Sequence, residues 1–258
     1  MPERAQARRG TGLAERARKW LERVGEGAST ILLVGLALVA AFTWGFIELA
    51  DEVVEGSTRE IDTRILLLLR EPGDTNDPLG PPWVEELMRD VTALGGVGVL
   101  TFLTIATAGL LWLLGHRRTT AFLLASVGSG IALSQLLKSL FERPRPELVP
   151  HGSEVYTASF PSGHSMMAAV VYLTLAVLLT RTFRQPAVRA YLMVLAVTVV
   201  LSVGASRVYL GVHWPTDVLA GWLLGAGWAL SCALTARWLS DRGQLGDARD
   251  GRPERVDR

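Results

Sequence analysis

Six runs of about twenty mainly apolar residues divide this chain, and they restrict its fold more than any other feature. A helix of that length crosses roughly 30 Å of hydrocarbon. The runs lie near 29–50, 95–115, 119–139, 165–183, 188–207 and 216–239. The expected fold class is therefore all-α, a polytopic membrane bundle of six transmembrane helices. Composition agrees: 49% of the 258 residues are hydrophobic and 20% are charged, with a mean hydropathy of +0.29. The lone cysteine, Cys232, excludes an intrachain disulfide framework and a cysteine-based metal cage. A net charge of +1 offers no case for nucleic-acid binding. The first run is too long and starts too late for a cleaved signal peptide, so an uncleaved anchor is expected.

Lysine and arginine placement orients the chain. With six crossings both termini share a side with the loops near 116–118 and 184–189, and that side carries 18 of the 26 basic residues. The other eight are Arg59, Arg64, Arg70, Arg89, Lys138, Arg143, Arg145 and Arg207. The positive-inside rule then places both termini in the cytoplasm of a multi-pass cell-membrane protein and turns segments 51–94, 140–164 and 208–215 outward. The expected division is a basic cytoplasmic tail (1–28), a six-span membrane domain (29–240) and a polar cytoplasmic tail (241–258). Within the membrane domain, 51–94 is expected to form an outer interfacial cap, distinct from a core over 119–239.

In the cap, Ser57-Thr58-Arg59-Glu60 reads as a capping box opening a short helix through Ile61, Ile65, Leu66 and Leu69, stopped by Pro72-Gly73. Pro82 suits the first turn of a second helix carrying Trp83, Leu87, Met88 and Val91. Such helices commonly lie in the interface, as a packing cap or as a gate for a lipid. No convincing internal repeat is present, and low complexity is confined to the charged tails.

Charges at the membrane level need a reason, because one at a helix centre costs about 2.5–3.5 kcal/mol. Lys138 ends the third run, Arg207 ends the fifth and Asp217 begins the sixth. The intervening loops add Arg143, Arg145, His164 and His213 to the same outer layer. Singly, each has a bland explanation: terminal Lys and Arg snorkel, Asp217 caps a helix, and His116 and His151 are polar surface.

The joint spacing is another matter. Lys138, six residues, Arg145-Pro146; then Pro161-Ser162-Gly163-His164; then Ser206-Arg207, five residues, His213, three residues, Asp217. This resembles the type-2 phosphatidic acid phosphatase and vanadium haloperoxidase superfamily, whose three signature motifs are all matched; the resemblance covers roughly 100–240. It implies a membrane lipid phosphatase in which His213 is the nucleophile, forming a phosphohistidine, and Asp217 orients it. His164 is then the general acid and base, while Lys138, Arg145, Arg207, the Ser162 hydroxyl and the Gly163 N–H hold the phosphate. These residue types suit the task. Cations neutralise equatorial charge in phosphoryl transfer, arginine's fork fits phosphate oxygens, and a helix start at 163 adds its dipole. No metal or other cofactor is called for. Only Arg145 has the family spacing from Lys138, which leaves Arg143 for an acid such as Glu142 or Glu147, or for a lipid headgroup.

The implied substrate is phosphatidate, phosphatidylglycerophosphate or a polyprenyl pyrophosphate, cleaved at the outer face. Phosphotransfer to an acceptor other than water is the alternative. Haloperoxidase chemistry does not need six spans, and a non-catalytic lipid-binding or transport protein should have lost His213, His164 or Asp217. Selectivity is expected from the cap and from 147–160, where Glu147, His151 and Glu154 have no assigned role. Oligomeric state is open. Trp112, Trp222 and Trp238 suit interfacial or packing positions, and Gly221 and Gly225 suit close helix packing within the chain.

Overall fold

A computed structural model describes residues 30–147 and 158–242. His151, Glu154 and nearly all of the two charged tails lie outside the described residues. Two compact units divide the chain, Met1–Leu38 and Val39–Arg258. Of the first, only residues 30–38 are described, as the opening turns of helix α1 (Thr30–Glu55). All contacts reported below lie within the second.

The apolar runs are helices, with ends within a few residues of those expected. Helix α1 is followed by α2 (Arg59–Leu67), a hairpin of β1 (Arg70–Glu71) and β2 (Asp74–Pro78), and α3 (Pro82–Ala93). Then come α4 (Val97–Leu113), α5 (Arg117–Phe141), α6 (Gly163–Thr182), α7 (Pro186–Tyr209) and α8 (Pro215–Asp241). Five of these are long and apolar enough to cross a bilayer alone; α4, at 17 residues, reaches that length only when counted with α3, from which it bends by 43°, giving up to six crossings among the described residues. The fold is all-α and polytopic apart from the small hairpin. Large apolar side chains such as Phe102, Leu113, Val194 and Leu195 are exposed on α4 and α7, as helices bathed in lipid require.

Helix α6 is the best-buried span and packs mainly on α8 and α7. Its approach to α8 needs the two glycines. A Cβ on Gly221 would lie 2.7 Å from the Ser162 carbonyl oxygen, and one on Gly225 would lie 2.5 Å from that of Met166. The small-residue spacing therefore serves packing inside this chain. Trp222 also packs internally, donating to the Val200 carbonyl at 3.1 Å, while Trp112 and Trp238 are exposed. Phe46 of α1, Phe141 of α5 and Phe160 form an aromatic triad with centroids 5.0–6.3 Å apart.

The cap differs from expectation in three ways. Residues 51–55 extend α1 beyond the expected end of the first apolar run. The capping box does not form: Thr58 at the N-cap is itself helical (φ −76°, ψ −11°) without a side-chain cap bond, and the Ser57 hydroxyl bonds back to Glu52. Helix α2 ends at Leu67, and Pro72-Gly73 turns a hairpin with Gly73 at φ 95°. The polar run Asp74–Pro78 lacks the alternation of a half-buried strand, since one face is not buried, and so gave no strand signal. Helix α3 starts on Pro82 as expected. The cap is held down by buried Arg70, which donates to the Tyr209 carbonyl at 2.8 Å, and by Tyr209, whose hydroxyl donates to the Leu79 carbonyl at 3.0 Å.

Candidate active site

Five elements present their polar ends to one cavity of about 690 Å³. Lys138 comes from the last turn of α5, Gly163 and His164 from the first turn of α6, and Arg207 from the last turn of α7. Arg145 and His213 come from the segments that follow α5 and α7. All six line the cavity. Of the eight residues singled out in the sequence, Asp217 stands directly behind His213, and only Ser162 faces elsewhere. Ser162 is fully buried; its Oγ accepts from the Ser165 N–H at 3.5 Å and from the Ser165 hydroxyl at 3.0 Å, capping α6. In this rotamer the Ser162 hydroxyl caps the start of α6 and does not line the cavity. What the cap presents instead is the start of α6, whose first N–H groups have no intrahelical partner.

Gly163 leaves space at the cavity wall. A Cβ there would sit 3.4 Å from Lys138 Cε and 3.6 Å from its Nζ. Lys138 Nζ donates to the Ala158 carbonyl at 3.4 Å, and Arg207 Nη1 to Thr92 Oγ1 at 3.1 Å. Arg207 Nε is buried and has no hydrogen-bond partner among the described residues. A buried guanidinium donor without a partner, beside two further cations, fits an anion in the cavity.

The two nitrogens of His213, 1% exposed, face different surroundings. Nε2 lies 3.2 Å from Arg145 Nη1, which also donates to the Val212 carbonyl at 2.6 Å. Nδ1 lies 3.2 Å from Ser159 Oγ and 3.4 Å from Asp217 Oδ2. A donor beside Nε2 and acceptors beside Nδ1 assign the proton to Nδ1 and the free lone pair to Nε2. Burial pushes His213 down to about 4; the hydrogen bond it donates to Asp217 opposes this, and Arg145 and Arg207 add to it. Burial likewise lowers Arg145 from its ordinary value.

Asp217 is held on every side. Oδ2 accepts from the Ser159 hydroxyl at 2.5 Å and from the Trp214 N–H at 2.9 Å; Oδ1 accepts from Arg143 Nη1 at 2.6 Å. Arg143 therefore pairs with neither Glu142 nor Glu147. Its partners are Asp217 and, through Nη2 at 2.8 Å, Asp62 of α2. Asp62 is fully buried and also accepts from the Thr216 N–H at 3.0 Å and the Thr216 hydroxyl at 2.6 Å. Reading the sequence missed Ser159, Asp62 and Thr92. Ser159 and Thr92 carry no signal of their own, and Asp62 looks like an ordinary acid in the first turn of a surface helix.

Away from the cations the cavity becomes apolar, running between α4 and α5 past Leu100, Ile105, Leu124, Val127 and Ile131. Lys138 to Leu124 spans about 21 Å of helix at 1.5 Å per residue. Among the described residues no group of three or more His, Cys, Asp or Glu is placed to hold a metal ion.

Against known proteins, the PAP2 superfamily model matches residues 119–241. Phosphatidylglycerophosphatase B of Bacillus subtilis is 35% identical over 201 residues, covering 76% of this chain and 88% of that protein. An undecaprenyl-diphosphatase of Sulfolobus acidocaldarius is 37% identical over 98 residues, or 38% of this chain and 42% of its own length. The crystal structure of a transmembrane PAP2-type phosphatidylglycerolphosphate phosphatase from Bacillus subtilis superposes with a TM-score of 0.63 at 29% identity, covering 79% of this chain and 96% of that one.

Proposed function

The chain belongs to the PAP2 superfamily, and on that premise we propose that it is an integral-membrane phosphatase that removes the terminal phosphate of a lipid phosphate or pyrophosphate without a metal ion. The observation that carries this reading is the cavity itself: three cations and two histidines at one end, a hydrocarbon-lined groove at the other. A single-tailed or double-tailed amphiphile fits that polarity, with its phosphate at the cations and its chain between α4 and α5. Phosphatidate, phosphatidylglycerophosphate and polyprenyl pyrophosphates all have it.

The chemistry follows from the positions. Lys138, Arg145 and Arg207 hold the equatorial oxygens and neutralise charge as it spreads in the transition state. His213 Nε2 attacks phosphorus in line; the P–N bond forms as the bond to the leaving oxygen breaks. His164, at the same wall, gives its proton to that oxygen. In the second half, His164 takes a proton from water, water oxygen bonds to phosphorus, and the P–N bond of the phosphohistidine breaks. Asp217, directly and through Ser159, accepts a hydrogen bond from Nδ1–H and, staying ionised, stabilises the ring as it gains positive charge. Ser162 acts through its backbone and helix cap.

In this reading both termini are cytoplasmic, 1–28 and 241–258 are tails, 51–94 caps the outer face and 119–239 is the catalytic core. Eighteen basic residues on one side against eight on the other support that orientation. Phosphate release from detergent-solubilised protein, wild type against His213→Ala and with or without EDTA, is the direct test. The variant is expected to be inactive and the wild type indifferent to EDTA. Turnover by the variant would sink the nucleophile assignment, and loss of activity in EDTA would sink the metal-free mechanism.

A further inference from the structure

The outer cap contributes one fully buried charged side chain to the neighbourhood of the site, and the mechanism above makes no use of it. Asp62 sits on α2, more than 150 residues from His213 in sequence, yet it is one guanidinium away from the acid behind that histidine. Arg143 divides its two terminal nitrogens between two carboxylates, Nη1 to Asp217 Oδ1 at 2.6 Å and Nη2 to Asp62 Oδ2 at 2.8 Å. The Thr216 hydroxyl ties the pair together, accepting from Arg143 Nη1 at 2.8 Å while donating to Asp62 Oδ2 at 2.6 Å.

We propose that Asp62 is a positioning residue for the His213–Asp217 couple, acting through Arg143. The proposal rests on the phosphatase reading given above. Arginine prefers to grip one carboxylate with both arms of its fork. With Asp62 absent, Arg143 is free to swing its second arm onto Asp217 and take Oδ2 as well as Oδ1. Oδ2 is the oxygen that receives Ser159, the Trp214 N–H and the His213 ring. By holding Nη2, Asp62 confines Arg143 to Oδ1 and keeps Oδ2 aimed at the nucleophile. It also keeps Asp217 from being fully neutralised, so that the carboxylate retains the charge that steadies His213 when the ring is phosphorylated. The cap is thus part of the catalytic scaffold, and its docking sets the geometry of a residue it does not touch.

A buried ion pair that merely fastens the cap predicts lost stability alone. Positioning predicts a change in kcat with KM preserved, an altered pH profile and non-additivity. The groups facing His213 that contribute to such a profile are Asp217 from α8, Arg207 from α7, His164 from α6, Lys138 from α5, and Arg145. The experiment compares full-length wild type, Asp62→Asn, Arg143→Gln and the double variant in detergent, with dioleoyl phosphatidate as the probe and phosphate release as the readout. Each single variant is expected to lose about 10–100-fold in kcat, the scale of a small misplacement at a reacting group, with KM within roughly twofold. In Asp62→Asn the acid limb of kcat/KM should move to lower pH, because Arg143 then neutralises Asp217 more fully and the carboxylate supports the ring less. The double variant should be no worse than Arg143→Gln alone.

Wild-type kcat and pH profile in Asp62→Asn, or losses that multiply in the double variant, would overturn the proposal. If Asp62→Asn does not yield monodisperse protein, Thr216→Val decides, since it retains all three charges and removes only the bridging hydroxyl. A several-fold fall in kcat at constant KM is expected, and wild-type kinetics overturn the idea. His213→Ala run in parallel separates the two layers. Turnover by that variant defeats the phosphatase mechanism, whereas its inactivity beside a fully active Asp62→Asn defeats only the positioning role.

Discussion

His213 combines full burial with a chemical task, and its protonation behaviour follows from that position. Its pKa in the folded protein is about 4, below the ordinary 6.5, chiefly through burial. A group with a depressed folded value stays neutral, and contributes to stability, above its unfolded pKa; that contribution is lost as pH falls from 6.5 through about 4. The nucleophile should therefore remain competent well below pH 6. A kcat/KM profile is expected to show the substrate's own phosphate ionisation near pH ~6, and the enzyme's limb near 4. A limb that stays at 6.5 for substrates of differing phosphate pKa would contradict this. His164→Asn should lower kcat on an alkyl phosphate by about 10²–10⁴-fold, and far less on p-nitrophenyl phosphate, whose leaving group hardly needs a proton. Equal losses on both would remove His164 from the acid's role. Gly163→Ala adds a methyl 3.4–3.6 Å from the end of Lys138. It should raise KM and the inhibition constant of inorganic phosphate while leaving the melting temperature unchanged or higher, since alanine favours a helix by about 1 kcal/mol over glycine.

Helix α6 carries the scale above. Its N-terminus holds Gly163 and His164, and its other face lies against the glycines of α8. A side chain at Gly221 would push on the Ser162 carbonyl, and hence on the turn that presents His164. Gly221→Val is expected to destabilise by about 1–3 kcal/mol through overpacking and to lower kcat as well. Gly98→Val on α4, where a Cβ meets nothing within 4 Å, should do neither; thermal melts in detergent and phosphate release read both. The small-residue spacing is legible in the sequence because helical periodicity is local. The fate of the Ser162 hydroxyl is not, because a serine before a helix can equally cap it or face a ligand, and only the rotamer decides. The hairpin at Arg70–Pro78 escaped notice for a similar reason: its strands have no buried face to impose a pattern.

Over the whole molecule, the apolar groove between α4 and α5 and the cationic end of the cavity are one continuous space. Gly128 lines it and has open space before it. Gly128→Phe should therefore raise KM for a long-chain lipid phosphate by about tenfold, roughly the loss of one well-buried apolar contact, and leave a short-chain phosphate unaffected. Equal KM values for both chain lengths would show that the tail lies elsewhere. A C-terminal reporter active only outside the cytoplasm would overturn the orientation. By itself the sequence determined the approximate ends of the apolar helices, the shared level of the misplaced charges at the helix ends and seven residues that gather around one cavity. Each of these is a matter of periodicity, helix parity or fixed spacing, which are properties of short stretches of chain. Only the tertiary structure decided which carboxylate faces which guanidinium. Asp62 comes from α2, Asp217 from α8, and Arg143 and Ser159 from the connection between α5 and α6, and a buried charge selects its partner by which elements pack against one another.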